Sequence, residues 1–461
     1  MPVWVQTWSW ITVGLATILM ALGGFVTSFR VGMADPVWPT EPWFLLSNRN
    51  LEFGFLVEHT HRLAAWIVGL AVTVLALGVW RTEPDRKLRT LGFVALVGLL
   101  IAFGEFHRGF RGTFNQIKDL AKTNYNLDPG ATNFDRLLSD SRVLDKVDWP
   151  WLAILLTLAF FGFALSCGIR AGLSGRPGGW LRAAAVISLT AVMVQGLFGG
   201  FRVLLNALMG TNLAAIHGAF GQVAFSVFVA VAVLGLSRRF GDSLAEEQGE
   251  PLAKLSWSLV AVLFVQLIWA VWLRHTGGAL AQRLHLLTAF VATGLMIWMC
   301  VRILNSQAAR FATGKLVYLL LGLLVAQLLF GVEAYLGKFA AIGTQAQVLP
   351  EMRLVSGSQA AIRTTHQLIG CGLLATAVAL ALVLSRRPVV YQNQPVTREG
   401  HVPDMAALAM LMSNIHHTHR DGALPDVAAL ALVPLDDGGP PVKDVPDVAT
   451  MAVNPQPGLL R

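Results

Sequence analysis

The chain has 461 residues, of which 55% are hydrophobic and only 13% are charged, and its formal net charge is +8. A soluble globular domain carries about twice that share of charged residues. The composition therefore excludes an ordinary soluble enzyme. The positive charge is interpreted as loop charge that orients helices in a membrane, so no nucleic-acid partner is expected.

Several apolar runs are long enough to cross a bilayer, which takes about 20 residues of helix. Runs of this length without alternation predict helices, because a helix satisfies its own backbone hydrogen bonds in lipid. The predicted fold is an all-α polytopic membrane protein with a retained first helix. Its ten predicted spans cover about 7–29, 53–80, 88–106, 149–170, 180–205, 211–236, 254–273, 282–304, 315–337 and 361–385.

Basic residues cluster in alternate loops, for example at 81–89, 170–182 and 386–387. Such loops are cytoplasmic by the positive-inside rule, which predicts that both termini are cytoplasmic. The other loops, which include 107–148, then face outward. The tail 388–461 is rich in Pro, Gly, Asp and Ala and is predicted to be disordered.

The first turns of the second span carry a glutamate, a histidine and an arginine, namely Glu58, His61 and Arg62. Ionisable groups are expensive in lipid, so their presence there indicates a functional site. Glu58 and His61 are three residues apart and share one helix face. Arg62 taken alone is equally well interpreted as an arginine that reaches the membrane interface.

Four histidines fall in the opening turns of spans that run inward, and they recur with a fixed order of spans. A His span, a Gln-x-x-x-Gly span and a second His span appear twice, with Gln195–Gly199 and Gln327–Gly331 as the middle motifs. The histidines of the first half are further apart, and the excess matches an insertion of two spans and a loop, roughly 87–165. The four histidines are His61, His217, His285 and His366.

The repeat predicts two pseudo-symmetric four-helix bundles, 1–236 with the insertion and 254–387. In such a bundle the second and fourth helices lie diagonally opposite, so a histidine on each projects into the centre. Two neutral imidazoles on opposite sides suit a haem iron, which predicts the metal-ligand pairs His61 with His217 and His285 with His366. A buried, hydrogen-bonded histidine is the alternative for any one of them. The seven other histidines, among them His59, are interpreted as solvated.

Only the first half has an acid beside its histidine, because the counterpart of Glu58 is Gln282. The first site is thus the candidate for proton-coupled chemistry and the second for a fixed electron-transfer haem. Arginines near the outer ends of the spans either bind haem propionates or anchor the helices at the interface. They are Arg62, Arg202, Arg274 and Arg363. The three cysteines lie far apart in apolar segments and are predicted to be core residues without a disulfide.

Taken together, these residues resemble the haem A synthase family of aerobic bacteria and mitochondria. The matching stretches are 58–62, 195–222, 283–290 and 364–374. The resemblance implies oxidation of the C8 methyl group of haem O to the formyl group of haem A, the prosthetic group of cytochrome c oxidase. It implies that His61 and His217 hold haem O, with Glu58 as the catalytic acid/base and Arg62 as a cofactor-binding residue. A haem b would lie between His285 and His366.

The resemblance also implies a multi-pass protein of a bacterial inner membrane. The expected partners are haem O as substrate, membrane lipid, haem O synthase and cytochrome c oxidase assembly proteins, and a homo-oligomer is left open. Many family members carry a cysteine pair in the first outer loop, which this chain lacks. The insertion 87–165 also departs from the family and is interpreted as a cap or an assembly surface.

Two other functions fit bundles with paired histidines. One is a b-type membrane cytochrome, such as a quinone-linked subunit, that carries electrons without chemistry on its haem. The presence of Glu58 in one half only speaks against it. The other is a haem transporter or chaperone, which would need haem exchange but no fixed second haem.

Overall fold

The computed structural model describes residues 1–32, 34, 52–125, 146–175, 178–209, 211–236, 246–344 and 355–385. Within these residues every regular element is a helix, and ten helices are long and apolar enough to cross a membrane. The prediction of an all-α polytopic membrane protein is confirmed. The helices are α1 (Val3–Phe29), α2 (Phe53–Arg81), α3 (Arg86–Tyr125), α4 (Trp151–Leu173), α5 (Gly179–Met209), α6 (Thr211–Gly235), α7 (Glu246–Thr276), α8 (Ala279–Asn305), α9 (Gln307–Thr344) and α10 (Gly357–Leu384).

Eight of these helices form two closed rings of four. In the first bundle α1 packs on α2, α2 on α5, α5 on α6, and α6 back on α1. In the second bundle α7, α8, α9 and α10 make the same circuit of contacts. The second and fourth helices of each ring, α2 with α6 and α8 with α10, therefore face each other diagonally, as the repeat predicts.

The two bundles meet through α6 and α10. These helices pack on each other, while α1 packs on α10 and α7 packs on α6. In the repeat, α1 corresponds to α7 and α6 corresponds to α10, so the contact of α1 with α10 is equivalent to that of α7 with α6. The interface therefore has the pairing expected when a two-fold axis relates the bundles. In both α6 and α10, 61% of the most apolar stretch is buried, against 17% in α4 and α9. The pair is thus the centre of the molecule, and α4 and α9 offer their apolar faces to lipid.

The insertion consists of α3 and α4, which pack on each other and reach the first bundle through α2 and α5. Its end differs from the predicted residue 165, because α4 continues as one helix to Leu173. A buried ion pair joins the segment just before α3 to α5, because Arg182 Nε of α5 lies 3.2 Å from Glu83 Oε2. The same guanidinium donates to the Thr82 carbonyl at 2.8 Å.

The predicted loop 107–148 is wrong over its first part, because α3 runs on to Tyr125. The buried residues Phe106, Thr113 and Ile117 recur at helical spacing and form one face of this extension. The hydroxyl of Thr113 donates to the Asp148 carbonyl at 2.6 Å, which ties that face to the segment before α4. Arg108, Arg111 and Asp119, which contribute to the polar character of the stretch, are exposed. The tail 388–461 and residues 126–145 lie outside the described residues.

Short connections set the register of the helices. Gly277 joins α7 to α8 with φ of 68°, a left-handed conformation that glycine adopts without a steric penalty. Ser356 caps α10 by accepting a hydrogen bond from the backbone N–H of Gln359 at 3.3 Å. The three cysteines are free and buried, as predicted.

The contact between α4 and α5 gives a first testable prediction. A methyl group on Gly168 would lie 2.7 Å from the Ala183 Cα, whereas nothing lies within 4 Å of one on Gly162 of the same helix. Gly168→Ala should therefore lower the thermal unfolding midpoint in detergent, by the equivalent of about 1–3 kcal/mol. Gly162→Ala should raise it slightly, because alanine favours helix by about 0.5–1 kcal/mol. Equal midpoints for the two variants would contradict this close approach.

Candidate functional site

All four predicted ligand histidines lie at one end of the two bundles, called here the histidine end. It is the end at which α2, α6, α8 and α10 begin, and each of these helices carries one of the histidines in its first three turns. Since the four helices run in the same direction, the histidines share a similar depth. The histidines of each bundle, His61 with His217 and His285 with His366, lie on its second and fourth helices.

The fourth-helix histidine of the first bundle is held by α5. Gln195 places its side-chain nitrogen 3.4 Å from His217 Nε2 and donates to the His217 carbonyl at 3.0 Å. Gly199 lies one turn further along α5, where a methyl group would be 3.5 Å from His217 Cε1. Gly221 makes room for the amide, since a methyl group there would be 3.0 Å from the Gln195 nitrogen.

The second bundle repeats this arrangement nearly atom for atom. The Gln327 side-chain nitrogen lies 3.4 Å from His366 Nε2. A methyl group on Gly331 would be 3.0 Å from His366 Cε1, and one on Gly370 would be 3.2 Å from the Gln327 nitrogen. The Gln-x-x-x-Gly motif of the sequence is therefore a glutamine that contacts the imidazole and a glycine that lets it approach the helix.

Two polar atoms of each of these pairs remain without a hydrogen bond. They are Nδ1 of His217 and Oε1 of Gln195 in the first bundle, and Nδ1 of His366 and Oε1 of Gln327 in the second. A buried polar atom without a partner costs about 1–3 kcal/mol, so native proteins seldom keep one without a reason. The same atoms lack a hydrogen-bond partner among the described residues of both bundles, so each site has polar atoms free to meet a further group.

The second-helix histidines differ between the bundles. In the second bundle, Gln266 of α7 places its side-chain nitrogen 3.0 Å from His285 Nδ1. The amide oxygen of Gln266 contacts the hydroxyl of Thr288, one turn beyond His285 on α8. In the first bundle, His61 instead lies against a glycine, and a methyl group on Gly23 would be 3.1 Å from His61 Nε2. None of the described residues hydrogen-bonds the His61 imidazole.

A buried ion pair stands beside His61 only. Glu58 and Arg62 are 3% and 8% exposed, and Arg62 Nη2 lies 2.5 Å from Glu58 Oε1. The two charges sit one turn apart on α2 and flank His61. The equivalent positions in α8 are the uncharged Gln282 and Leu286. The second helix of the first bundle therefore supplies a carboxylate and a guanidinium that the equivalent positions of the second bundle do not.

Arg274 joins the two bundles next to both histidine pairs. From α7 it donates to Gln367 Oε1 of α10 at 2.5 Å, beside His366. It also donates to the Gly24 carbonyl of α1 at 3.0 Å and to the Ser28 hydroxyl at 2.9 Å. Because Gly23 touches His61, the chain of contacts runs from one histidine site to the other.

The structure corrects the interpretation of some other histidines as solvated. His59 is fully buried and stacks on Phe55, with ring centroids 5.1 Å apart. His275 is half-buried where α7 approaches Gly218 of α6. His107 is half-buried and lines a narrow crevice between α3 and α5. The four histidines of the tail lie outside the described residues.

Sequence reasoning gave no role to the glutamines and Thr288, although a signal for them exists. Gln195, Gln266 and Gln327 are isolated amides within apolar spans, where a polar side chain needs a partner. The spacing of Thr288 three residues after His285 could also have placed both on one helix face.

No protein-family model, curated protein or solved structure matches this chain. The described residues also contain no cluster of three or more His, Cys, Asp or Glu side chains that could hold a metal ion by themselves.

The two glycine contacts give a prediction with an internal comparison. Gly331→Ala should displace His366, because its methyl group would lie only 3.0 Å from Cε1. Gly199→Ala should leave His217 in place, since 3.5 Å is an ordinary contact. NMR of protein labelled at histidine ¹³Cε1 reports on the contacted atom directly. A shifted His366 resonance with an unchanged His217 resonance is expected, and Gly322→Ala on α9, with open space around it, is the control.

The Arg274 contacts predict a loss of stability. Arg274→Met leaves Gln367, Ser28 and the Gly24 carbonyl without this donor, at about 1–3 kcal/mol for each group that stays buried and unpaired. The unfolding midpoint in detergent should fall clearly, and Arg274→Lys should recover part of the loss. Arg283→Met removes an exposed arginine at the start of α8 and should change the midpoint little. A fall as large for Arg283→Met would contradict a specific role of the bridge.

Proposed function

We propose that this chain is a haem A synthase, which oxidises the C8 methyl group of haem O to the formyl group of haem A. The observation that carries the proposal is the duplicated Gln–His–Gly arrangement with a buried acid at one copy only. The duplication supports two sites of the same binding chemistry. The Glu58–Arg62 pair beside His61 supports different tasks for them.

The residues present fit a haem in both bundles. Each bundle offers two histidines on diagonal helices at one depth, and the orphaned Nδ1 atoms of His217 and His366 leave polar capacity for a ligand. Glycines face three of these imidazoles, and a methyl group would crowd His61 from Gly23 and His366 from Gly331, at 3.1 and 3.0 Å. His61 and His217 would hold the substrate haem O, and His285 and His366 would hold a haem b. When bound, such a haem supplies an iron that passes single electrons.

The chain's own residues would supply proton transfer and orientation. With the oxygen atom taken from water, converting a methyl group to a formyl group releases protons as well as electrons. The electrons would pass to an external oxidant, and a carboxylate in the first site can accept the protons. We assign this role to Glu58. Arg62 would hold the carboxylate in place through its charge-assisted hydrogen bond of 2.5 Å. The apolar helices around the pair would keep bulk water from the reacting group.

The proposed function implies a location in the cell and a set of partners. The chain would lie in the inner membrane of a bacterium with both termini in the cytoplasm, which puts the histidine end at the outer face. Haem O synthase would deliver the substrate, and cytochrome c oxidase assembly proteins would take the product. Membrane lipid would cover the exposed apolar faces of α4 and α9.

A b-type electron carrier is the competing function, and one observation favours it. The Gln195–His217 and Gln327–His366 contacts have the same distance of 3.4 Å, as expected of two haems with one task. A carrier leaves its haem chemically unchanged, however, so it gives no reason for a buried Glu58–Arg62 pair at one site only.

Extraction of the bound haems, with identification by mass, tests the proposed function. Formyl or hydroxymethyl haem together with haem b is expected from the purified protein. His366→Ala should remove haem b from the second bundle, because one of its two ligands there is gone, while the first site still takes up haem. His107→Ala, outside both bundles, should leave the haem content unchanged. Haem b alone in the wild type would favour the carrier.

The role of Glu58 gives the sharpest prediction for activity. Glu58→Gln keeps the size of the side chain and matches the second bundle, which has Gln282 at this position. Haem A formation should fall by about 10²–10⁴-fold, the usual contribution of a general acid–base group. Haem O or a hydroxylated intermediate should accumulate, with both haem sites retained by absorption spectroscopy. Normal haem A from this variant would leave Glu58 as a structural partner of Arg62.

A further inference from the structure

Three side chains, those of Thr288, Gln266 and His285, contact one another in a row. The Thr288 hydroxyl contacts the amide oxygen of Gln266, and the amide nitrogen lies 3.0 Å from His285 Nδ1. The Thr288 hydroxyl oxygen also lies 2.8 Å from the Leu284 carbonyl oxygen, one turn back on α8. With the His285 carbonyl oxygen at 3.3 Å, one hydroxyl proton thus has three acceptors within reach. The amide has a neighbour at each end.

This arrangement has two complete hydrogen-bonding states. In the first, Thr288 donates to the amide oxygen and the amide nitrogen donates to His285 Nδ1, so the ring proton of a neutral imidazole sits on Nε2. In the second, Thr288 donates to the Leu284 carbonyl and accepts from the amide nitrogen, while the amide oxygen accepts from Nδ1–H. A half-turn of the carboxamide interchanges the two states, because its oxygen and nitrogen have the same shape. Only the second leaves the Nε2 lone pair available to a metal.

His61 in the first bundle has nothing equivalent. Its neighbour on the first helix is Gly23, which can neither donate nor accept through a side chain. None of the described residues fixes its tautomer or its ring orientation. The opposite ligands do not explain the difference, because His217 and His366 have the same glutamine contact at 3.4 Å.

We propose that Gln266 is a positioning residue that fixes the metal-binding tautomer of His285 and makes the second bundle the permanent haem site. The first bundle, whose His61 has no such partner among the described residues, is the site that exchanges haem. This inference rests on the proposed function, in which one site turns over substrate and product while the other keeps its haem. A hydrogen bond from the far nitrogen of a ligand histidine orients the ring and strengthens its bond to the metal.

The test measures the release of haem b from full-length protein to excess apomyoglobin. A His217→Ala background limits binding to the second bundle, and a His366→Ala background limits it to the first. Release from the second bundle should be slower than from the first. Gln266→Leu should accelerate release from the second bundle by about 10–100-fold, the usual effect of losing such a partner. Gln266→Glu should keep release slow, because either carboxylate oxygen accepts from Nδ1–H.

The reduction potential of the second-bundle haem separates positioning from packing. Gln266→Glu should lower it, because a carboxylate acceptor makes the imidazole a stronger donor to the iron. Thr288→Val should speed release less than Gln266→Leu does, since the amide remains but nothing orients it. Thr376→Val is the matched control, because that hydroxyl donates to the Gly372 carbonyl at 2.7 Å and lies almost three turns beyond His366 on α10.

Three results would overturn the inference. They are wild-type release from Gln266→Leu, equal acceleration by Gln266→Leu and Gln266→Glu, and faster release from the second bundle than from the first. Failure of the proposed function looks different. A protein that holds haem b in the second bundle by way of Gln266 but never yields haem A would overturn the reaction and still support the positioning role. A second bundle that takes up no haem b would overturn both.

Discussion

Polar side chains among apolar helices need partners within the protein, because lipid offers them none, and this constraint organises the histidine end. Glu58 is paired with Arg62, and Arg274 reaches α1 and α10. The side-chain amides of Gln195, Gln266 and Gln327 each contact a histidine. Against this rule, the orphaned Nδ1 atoms of His217 and His366 stand out. Oε1 of Gln195 and Oε1 of Gln327 are unpaired beside them. These orphaned atoms are the physical basis for expecting a ligand there.

The two bundles have the same contacts at the fourth-helix histidine and different contacts at the second-helix histidine. The glutamine and the glycine that meet the fourth-helix histidine are the same in both, down to similar distances. The surroundings of the second-helix histidine differ, with an ion pair and a bare glycine at His61 and an amide and a hydroxyl at His285. A duplicated binding frame with one proton-handling copy and one fixed copy is what the proposed reaction requires.

Helix α10 belongs to both halves of the molecule. Its buried residues contribute to the apolar core around the first bundle, through Cys371 and Ala375, and to that of the second, through Leu373 and Leu380. It also carries His366 and the Gln367 that binds Arg274. A shift of this helix would therefore be felt at both sites. The helices of the insertion, α3 and α4, pack on α2 and α5 of the first bundle.

The sequence by itself determined the ten helices, the two bundles and the common depth of the four histidines. These follow from run length and from the order of spans, which are local properties of the chain. It misjudged the end of α3 and the burial of His59, because packing against 147–150 and against Phe55 decides them. Only the tertiary structure revealed the Gln266–His285 contact and the Arg274 bridge, whose partners are up to 250 residues apart. The rotation of each helix about its axis sets such contacts, and no local pattern in the chain encodes it.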